Sequence, residues 1–276
     1  MIATLSGEAP VRQLCALVGC APSSYYYRTH SAPDLELRSQ IEAIAVEFPR
    51  YGYRRITAEL GRRGYRVNHK RVLRLMREAN LLAEVKRFCR TTESRHSLSR
   101  YPNLTKGLIP EGPDHIWCAD ITYIRLQKEF LYLAVLMDLF TRAIRGWHLS
   151  RHLTEELTKT ALQRALSTHR PQIHHSDQGL QYASASYVRL LEQAQIRISM
   201  AAAGRPTENA YVERPIRTLK EEEVYLQDYE DFADAYNRIG RFLDKVYMYK
   251  RIHSSLGYLT PAEFEAEYYH HLTKFG

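Results

Sequence analysis

Three segments between residues 31 and 82 carry apolar residues at helical spacing. In the first, apolar side chains fall at positions 37, 41, 44, 45 and 48, and Pro49 ends the helix. The second runs over 54–60 and the third over 69–79, with Asn68 as a suitable N-cap. The spacing therefore predicts a small all-α module in this part of the chain.

The first 30 residues predict a separate short helical segment. Positions 11–18 carry leucine and valine on one side of a helix, and Gly19 ends it. A second short helix is expected to begin at Tyr25 after a serine cap. We therefore take 1–30 as one unit and 31–82 as the next.

The apolar pattern changes from helical spacing to strands after residue 115. Five short apolar runs are read as strands. Three of them come first, and helices separate the others, which gives the order βββαβαβα. The runs are 116–126, 130–138, 143–149, 172–176 and 196–200. Helices are expected at 154–169 and 184–194, after Pro206, and at 229–249. By itself this order predicts a mixed α/β core over 113–228 and a helical extension over 229–276.

Residues 83–112 show neither periodicity. They hold six basic residues against three acids. We predict a basic linker here that is extended and mobile.

Charge is distributed unevenly along the chain. Residues 1–110 hold 19 Lys and Arg against 9 Asp and Glu, and the remainder holds 20 against 22. Between Arg50 and Arg77 there are ten basic residues and a single acid, Glu59. This asymmetry indicates a nucleic-acid-binding module joined to a separate core.

The three helices of 31–82 suit a helix-turn-helix module whose third helix enters the major groove. An ordinary solvated helix face is the alternative interpretation of the same charges. The residues expected to contact DNA are Arg54, Arg55, Lys70, Arg71, Arg74 and Arg77.

Composition excludes several classes of protein. No apolar run approaches 18 residues, and the N-terminus lacks the pattern of a signal peptide, so no membrane association is expected. The four cysteines are scattered without a CxxC pair, which favours reduced thiols in the cytoplasm and argues against zinc.

Three carboxylates carry the candidate chemistry. Asp120 lies inside a strand, Asp177 lies just past one, and Glu213 follows Asp177 with 35 residues between them on an expected helix. A buried acid in mid-strand is costly unless it is paired or binds a metal. Gly179 allows a close backbone approach beside Asp177. Three such acids brought together repel one another and need cations, and oxygen-only ligands suit Mg²⁺.

Two cations and two other acids bear on this site. Arg217 and Lys220 follow Glu213 by four and seven residues, which places them on its face of a helix and suits contacts to a phosphate backbone. Glu208 is favourable at a helix start without any catalytic role. Asp138 ends an apolar strand. We exclude both Glu208 and Asp138 as metal ligands.

At these residues the chain resembles the OrfB-type DDE transposases of two-frame bacterial insertion sequences, which have a retroviral-integrase-like core. The resemblance spans roughly residues 10 to 265. The matching stretches are YGYRRI at 51–56, NHKRV at 68–72, WCADITYI at 117–124, HSDQG at 175–179, ENAYVE at 208–213, TLKEE at 218–222 and RIHSSLGYLTP at 251–261. Departures from the family are Glu208, where Asp is frequent, Met248, where Asn is frequent, and Pro215.

The resemblance implies an RNase H-like core with a five-stranded mixed sheet, and catalysis by Asp120, Asp177 and Glu213. It implies two Mg²⁺ ions, for which Mn²⁺ substitutes, and metal-dependent cleavage and strand transfer at the ends of an insertion sequence. The expected partners are end and target DNA, further copies of the chain, and a first-frame (OrfA) protein or a frameshift fusion with it. The expected location is the bacterial cytoplasm, at the nucleoid.

Two other functions fit parts of the pattern. A DNA-binding regulator with a dead core would most simply have lost one of the three acids, and all three are present. A structure-specific nuclease on the same fold would not need a helix-turn-helix reader for particular ends.

Pro215 constrains the helix that follows the catalytic acid. Proline is tolerated in the first helical turn but costs about 3 kcal/mol or more in a helix interior. We therefore expect the helix to begin close to Glu213.

Overall fold

A computed structural model describes residues 7, 9–26, 34–82, 101–126, 129–201 and 210–275 of the chain. It does not describe the side chains of residues 210–213 and 275. The chain divides into two compact units, residues 1–43 and 44–276.

The first unit contains helix α1 (Val11–Val18), helix α2 (Pro22–Tyr26) and the start of helix α3 (Leu35–Glu47). The predicted end of α1 is confirmed, since Gly19 adopts the left-handed conformation with φ of 67°. The expected start of α2 at Tyr25 is wrong. The helix begins at Pro22, whose missing N–H has no partner in a first turn anyway.

Helices α4 (Tyr53–Arg62) and α5 (His69–Glu78) belong to the second unit. The predicted cap of α5 is confirmed, because the Asn68 side-chain oxygen accepts a 2.8 Å hydrogen bond from the Lys70 amide. Both helices bury an apolar face, formed by Ile56, Leu60, Val72, Leu75 and Met76. The basic residues Arg54, Lys70, Arg71, Arg74 and Arg77 lie on the solvated side, whereas Arg55 of α4 is half-buried.

A five-stranded mixed sheet forms the centre of the second unit. Its strands are β1 (Ile116–Arg125), β2 (Phe130–Asp138), β3 (Ile144–Ser150), β4 (Ile173–Ser176) and β5 (Arg197–Met200). Their order across the sheet is β3-β2-β1-β4-β5. The first three strands are antiparallel neighbours, and β1, β4 and β5 run parallel. The predicted mixed α/β core with five strands is confirmed.

Alternation along the strands supplies apolar side chains to both faces of the sheet. On one face, Ala134 and Leu136 of β2 pack with helices α6 (Glu155–Leu166) and α7 (Ala185–Gln193). On the other, Leu133 and Val135 pack with later helices of the chain. Burial on both faces makes β1 and β2 the interior of the core.

The later helices are α8 (Ala210–Glu222) and α9 (Phe232–Arg241), with a 3₁₀ turn (Val224–Leu226) between them. The chain continues from α9 as a π-helical segment (Phe242–Tyr247). Helix α8 begins at Ala210, three residues before Glu213, and the expectation that Pro215 lies in its first turn is wrong. Pro215 is the sixth residue of α8 and its side chain is buried.

The C-terminal part of the predicted linker belongs to the core. The Leu104 amide donates a 2.8 Å hydrogen bond to the Ser199 hydroxyl of β5, and Tyr101 and Leu104 pack on the apolar core. The expectation of a mobile linker is therefore wrong for residues 101–105. Residues 83–100 lie outside the described residues.

The C-terminal extension connects the sheet unit to helix α4. After a second 3₁₀ turn (Ser254–Leu256), the chain ends in helix α10 (Pro261–Phe275). The Ile252 amide donates a 2.9 Å hydrogen bond to the Tyr51 hydroxyl, and both residues are buried. Arg62 of α4 forms a two-point ion pair with Glu263 of α10.

Candidate active site

Strand register places Asp120 and Asp177 side by side. Strand β1 runs parallel to β4, and Cys118 lies opposite His175. Asp120 and Asp177 each follow that pair by two residues, so they occupy the same level of the sheet. Neighbouring strands are about 4.8 Å apart. The structure therefore brings these two carboxylates together at the carboxyl end of β4, beside the middle of β1.

Local hydrogen bonds orient both carboxylates. The Ile121 amide donates to Oδ1 of Asp120 at 2.9 Å, and the Gly179 amide donates to Oδ1 of Asp177 at 2.9 Å. A Cβ atom at Gly179 would lie 2.9 Å from Asp177 Oδ1. The close approach that the sequence predicted at Gly179 is confirmed, and a larger residue there would displace the carboxylate. Both aspartates are half-buried.

Lys220 lies at the edge of the same site. Helix α8 packs along β1, which brings the Lys220 Nζ to 5.2 Å from the ring centroid of Tyr123. Burial lowers the pKa of Lys220, and the negative charge of Asp120 opposes that shift. The amine is thus close enough to Asp120 for their charges to interact.

Glu213 lies on α8, seven residues before Lys220 and therefore on the same face of the helix. Its side chain lies outside the described residues. Among the side chains that the structure describes, no group of three His, Cys, Asp or Glu residues forms a metal cage. The assignment of Glu213 as third ligand stays a prediction.

Tyr182 is a residue near the site that the sequence analysis missed. Its hydroxyl is buried and has no hydrogen-bond partner among the residues that the structure describes. Burial raises its pKa well above the usual value, with further contributions from Tyr187, Asp120 and Asp177. The aromatic residue five positions after Asp177, in a turn following the strand, was the available signal. Tyr182 therefore lies within electrostatic range of both carboxylates.

Of the two acids excluded as metal ligands, the structure describes only Asp138. Asp138 is fully buried, and its carboxylate accepts hydrogen bonds from the Asp114 amide and from the Thr141 amide and hydroxyl. It lies opposite Trp117 in β1, three residues from Asp120, and stabilises the turn between β2 and β3. Glu208 lies outside the described residues.

The predicted DNA contacts on α5 are exposed to solvent: Lys70, Arg71, Arg74 and Arg77. Arg74 forms an ion pair with Glu78 at 2.7 Å, within the same helix. Arg54 of α4 is also exposed, and its Nε donates to the Tyr53 hydroxyl. These five side chains form the basic surface of the helical module.

Two other predicted contacts form ion pairs within the chain. Arg55 lies 3.5 Å from Glu222 and 5.3 Å from the ring centroid of Tyr51, and its side chain is only 24% exposed. This position favours a role in holding α4 against the end of α8. Arg217 pairs with Glu221 at 2.8 Å but remains 64% exposed.

Comparison with known proteins identifies the family. Residues 110–206 and 194–261 match integrase core domains, and residues 32–88 match an HTH-like domain. The chain is 37% identical over 236 residues to the transposase for insertion sequence element IS904 of Lactococcus lactis subsp. lactis (strain IL1403), covering 83% of this chain and 93% of that protein. It belongs to the OrfB-type DDE transposases of two-frame bacterial insertion sequences.

A second relative and a solved structure agree with this family. The transposase is 33% identical over 272 residues to transposase InsF for insertion sequence IS3A of Escherichia coli (strain K12), covering 94% of each chain. A simian T-cell lymphotropic virus intasome in complex with PP2A regulatory subunit B56 gamma has a similar fold, with a TM-score of 0.50 and 17% identity over 82% of this chain and 74% of that chain. The RNase H-like integrase fold is thereby confirmed.

The family establishes the class of reaction. The transposase catalyses metal-dependent cleavage and strand transfer of DNA at the ends of an insertion sequence. The comparisons support this function over a dead regulator or a structure-specific nuclease. In the described part of the chain, no helix is both long and apolar enough to cross a membrane.

Proposed function

We propose that Asp120, Asp177 and Glu213 hold two Mg²⁺ ions, and that the transposase cuts and joins element ends at this site. The observation that carries the proposal is the register of β1 and β4, which sets Asp120 beside Asp177. Mn²⁺ substitutes for Mg²⁺ because both accept oxygen ligands.

The donor set fits such ions. Two half-buried carboxylates at adjacent positions repel each other unless a cation neutralises them. Carboxylate oxygens are the ligands that Mg²⁺ prefers, and Mg²⁺ retains several waters, so few protein ligands suffice. The backbone amides that bind Oδ1 of each aspartate hold both groups in place before any ion arrives.

The acidic and basic residues of the proposed site have different roles. Asp120, Asp177 and Glu213 would together supply the carboxylate oxygens that hold the ions. When bound, the ions activate the attacking oxygen and stabilise charge on the departing one. Water attacks the phosphorus at the element end and displaces the 3′-oxygen, which leaves as a 3′-hydroxyl. That hydroxyl then attacks a target phosphodiester, and the target's own bridging 3′-oxygen leaves as a new 3′-hydroxyl. Lys220 and Arg217 would hold the terminal nucleotides through their phosphates.

The helical module would select the element ends. Lys70, Arg71, Arg74, Arg77 and Arg54 offer an exposed basic surface suited to phosphate and base-edge contacts. We infer that further copies of the transposase assemble on the DNA. The chain would act with a first-frame (OrfA) partner or as a frameshift fusion with it.

Conservative substitution of each acid tests the proposal. Asp120→Asn, Asp177→Asn and Glu213→Gln should each reduce cleavage and strand transfer of labelled element ends below about 1% of the wild-type rate, because each removes a charged metal ligand. Gel-shift binding of the ends should change little. Activity above that level in any of the three would remove that residue from the triad.

Glu208→Gln is the matched control, since it neutralises an acid five residues from Glu213. We expect it to retain substantial activity. Complete loss of cleavage in this variant would assign the third ligand to Glu208 instead.

A further inference from the structure

An aromatic cleft adjoins the candidate active site. It lies between the outer ends of β1 and β2 on one side and α8 with residues 224–229 on the other, and its volume is about 600 Å³. Binding pockets for small ligands typically span roughly 300–1,000 Å³. The cleft is therefore large enough for a nucleotide.

Three large aromatic side chains in this cleft are exposed to solvent. Tyr123 is 49% exposed, Phe130 51% and Tyr225 48%. Aromatic rings normally bury most of their surface, so three half-exposed rings in one cleft indicate a surface that a ligand covers. The rings of Tyr123 and Phe130 meet edge to face, with centroids 6.5 Å apart.

Cations accompany the rings. The Lys220 amine lies 5.2 Å from the Tyr123 centroid, and the Arg125 guanidinium lies 6.0 Å from the Phe130 centroid. Asp228 also lines the cleft, so the net charge of the cleft's side chains is slightly positive. Rings that stack on bases, together with cations that bind phosphates, are the combination found where proteins hold single-stranded nucleic acid.

Lys220 of α8 links the cleft to the acids. Tyr123 follows Asp120 by three residues on β1, about 10 Å along the strand, and because side chains alternate these two project from opposite faces of it. Lys220 belongs to both places, because it lines the cleft and its charge interacts with that of Asp120. A DNA strand whose phosphate lies at the acids therefore reaches the cleft along Lys220, whose amine lies 5.2 Å from the Tyr123 ring.

We propose that the cleft of Tyr123, Phe130 and Tyr225 binds an unpaired nucleobase of the DNA strand next to the reacting phosphate. Paired bases are already stacked inside a duplex, so only an unpaired base offers its face to these rings. Lys220 and Arg125 contact the phosphates on either side of that base. The proposal rests on the proposed place of Asp120 in the active site.

Binding of tailed and blunt DNA ends tests the proposal in the full-length transposase. The probes are one element end with a two-nucleotide single-stranded tail and the same end without it, in Ca²⁺ so that binding proceeds without chemistry. Tyr123→Ala should weaken binding of the tailed end at least fivefold and of the blunt end less than twofold. Tyr123→Phe should restore tailed-end binding, because it retains the ring.

Tyr225→Ala provides an independent variant on a different element, and we expect the same difference between the two ends. Tyr269→Ala is the matched control, since Tyr269 is 47% exposed on α10 and does not line the cleft. It should leave both affinities unchanged. Melting temperatures of all variants identify any that fail to fold.

A fluorescent base analogue reports the contact directly. With 2-aminopurine in the tail, wild-type protein should quench the fluorescence by at least half, and Tyr123→Ala should abolish that quenching. Equal losses on tailed and blunt ends would mean general phosphate binding and would overturn the proposal. No loss with either alanine variant would also overturn it and would leave the cleft to a protein partner.

Asp120→Asn separates this proposal from the assignment of the active site. It should bind and quench the tailed end like the wild type while cleavage is lost. If cleavage survived in Asp120→Asn, the assignment of the acids would fail, whereas the quenching measurement would still decide whether the cleft holds a base.

Discussion

At the residue scale, burial decides the chemistry of His174, which lies on β4 three residues before Asp177. Its side chain is fully buried, and burial lowers its pKa to about 3. The imidazole Nε2 lies 2.8 Å from the Tyr187 hydroxyl. The tyrosine hydroxyl can donate to a neutral ring or accept from a protonated one, so burial, and not this hydrogen bond, opposes the charged form of His174.

Acid should therefore destabilise the transposase through His174. The folded-state pKa lies below the unfolded value of about 6.5, so the stabilisation is complete above that pH and is lost as the pH falls towards 3. We expect the free energy of unfolding to fall between pH 6.5 and pH 5, by at most about 1.4 kcal/mol per pH unit from this residue. Urea titrations across this range measure it.

His174→Phe should reduce that pH dependence without abolishing it. His253 contributes a second part, because burial and then the charge of Arg251 lower its pKa to about 2. An unchanged slope in His174→Phe would show that this residue is not a source of the effect.

At the element scale, helix α8 is well placed beside β1 for the candidate active site but contains a proline that destabilises its interior. It carries Glu213 and Lys220 along β1, yet Pro215 in its second turn cannot donate to the carbonyl of residue 211. Burial of the Pro215 ring partly offsets the stability lost with that hydrogen bond. The helix is held at its end by Glu222, which forms a two-point ion pair with the buried Arg251.

Pro215→Ala should stabilise the transposase. Restoring a helix donor recovers about 3 kcal/mol, and losing the buried ring carbons costs about 1.6 kcal/mol, which leaves a gain of about 1 kcal/mol. Arg217→Ala, at a 64% exposed position on the same helix, should change stability by less than about 0.5 kcal/mol. A lower free energy of unfolding for Pro215→Ala in urea titrations would contradict this account.

Helix α5 presents its basic residues on the face opposite its apolar contacts. Lys70→Ala, Arg74→Ala and Arg77→Ala should each weaken binding of element ends, and a lost phosphate contact should lower the salt slope by about one unit. We expect the smallest effect from Arg74, which already pairs with Glu78. Gel-shift titrations at several salt concentrations measure both quantities.

Arg63→Ala is the control for α5, since Arg63 is occupied by ion pairs with Glu47 and Glu59 on the neighbouring helices. Unchanged binding in all three α5 variants would show that this helix is not the reader.

At the scale of the whole molecule, the C-terminal extension connects the helical module to the catalytic sheet. Glu222 at the end of α8 pairs with Arg251 of the extension and with Arg55 of α4. Arg62 of α4 pairs with Glu263 of α10. These contacts lie between elements far apart in sequence, so helices α4 and α5, which we propose recognise the element ends, belong with the sheet to one compact unit, residues 44–276.

Metal binding should stabilise this unit as a whole. Asp120 and Asp177 repel each other without a cation, so Mg²⁺ binds the folded state alone and should raise the melting temperature. Asp120→Asn should diminish that rise. Ca²⁺ should support DNA binding but little cleavage, because it takes six to eight ligands at longer distances. Strand transfer at the full rate in excess EDTA would rule out the metal mechanism.

Local patterns were sufficient to predict most helices, the five strands, the cap at Asn68 and the candidate acids, because spacing, caps and alternation act over a few residues. They did not predict the start of α2 at Pro22 or the bounds of α10. Contacts between distant segments were decided only by the tertiary structure. Register set Asp120 beside Asp177, packing buried Asp138 in a turn, and the end of α8 paired with Arg55. Residues 101–105 lack any periodicity, so only the edge of β5 made them part of the core. Such contacts depend on how whole elements meet, and no short stretch of sequence contains that information.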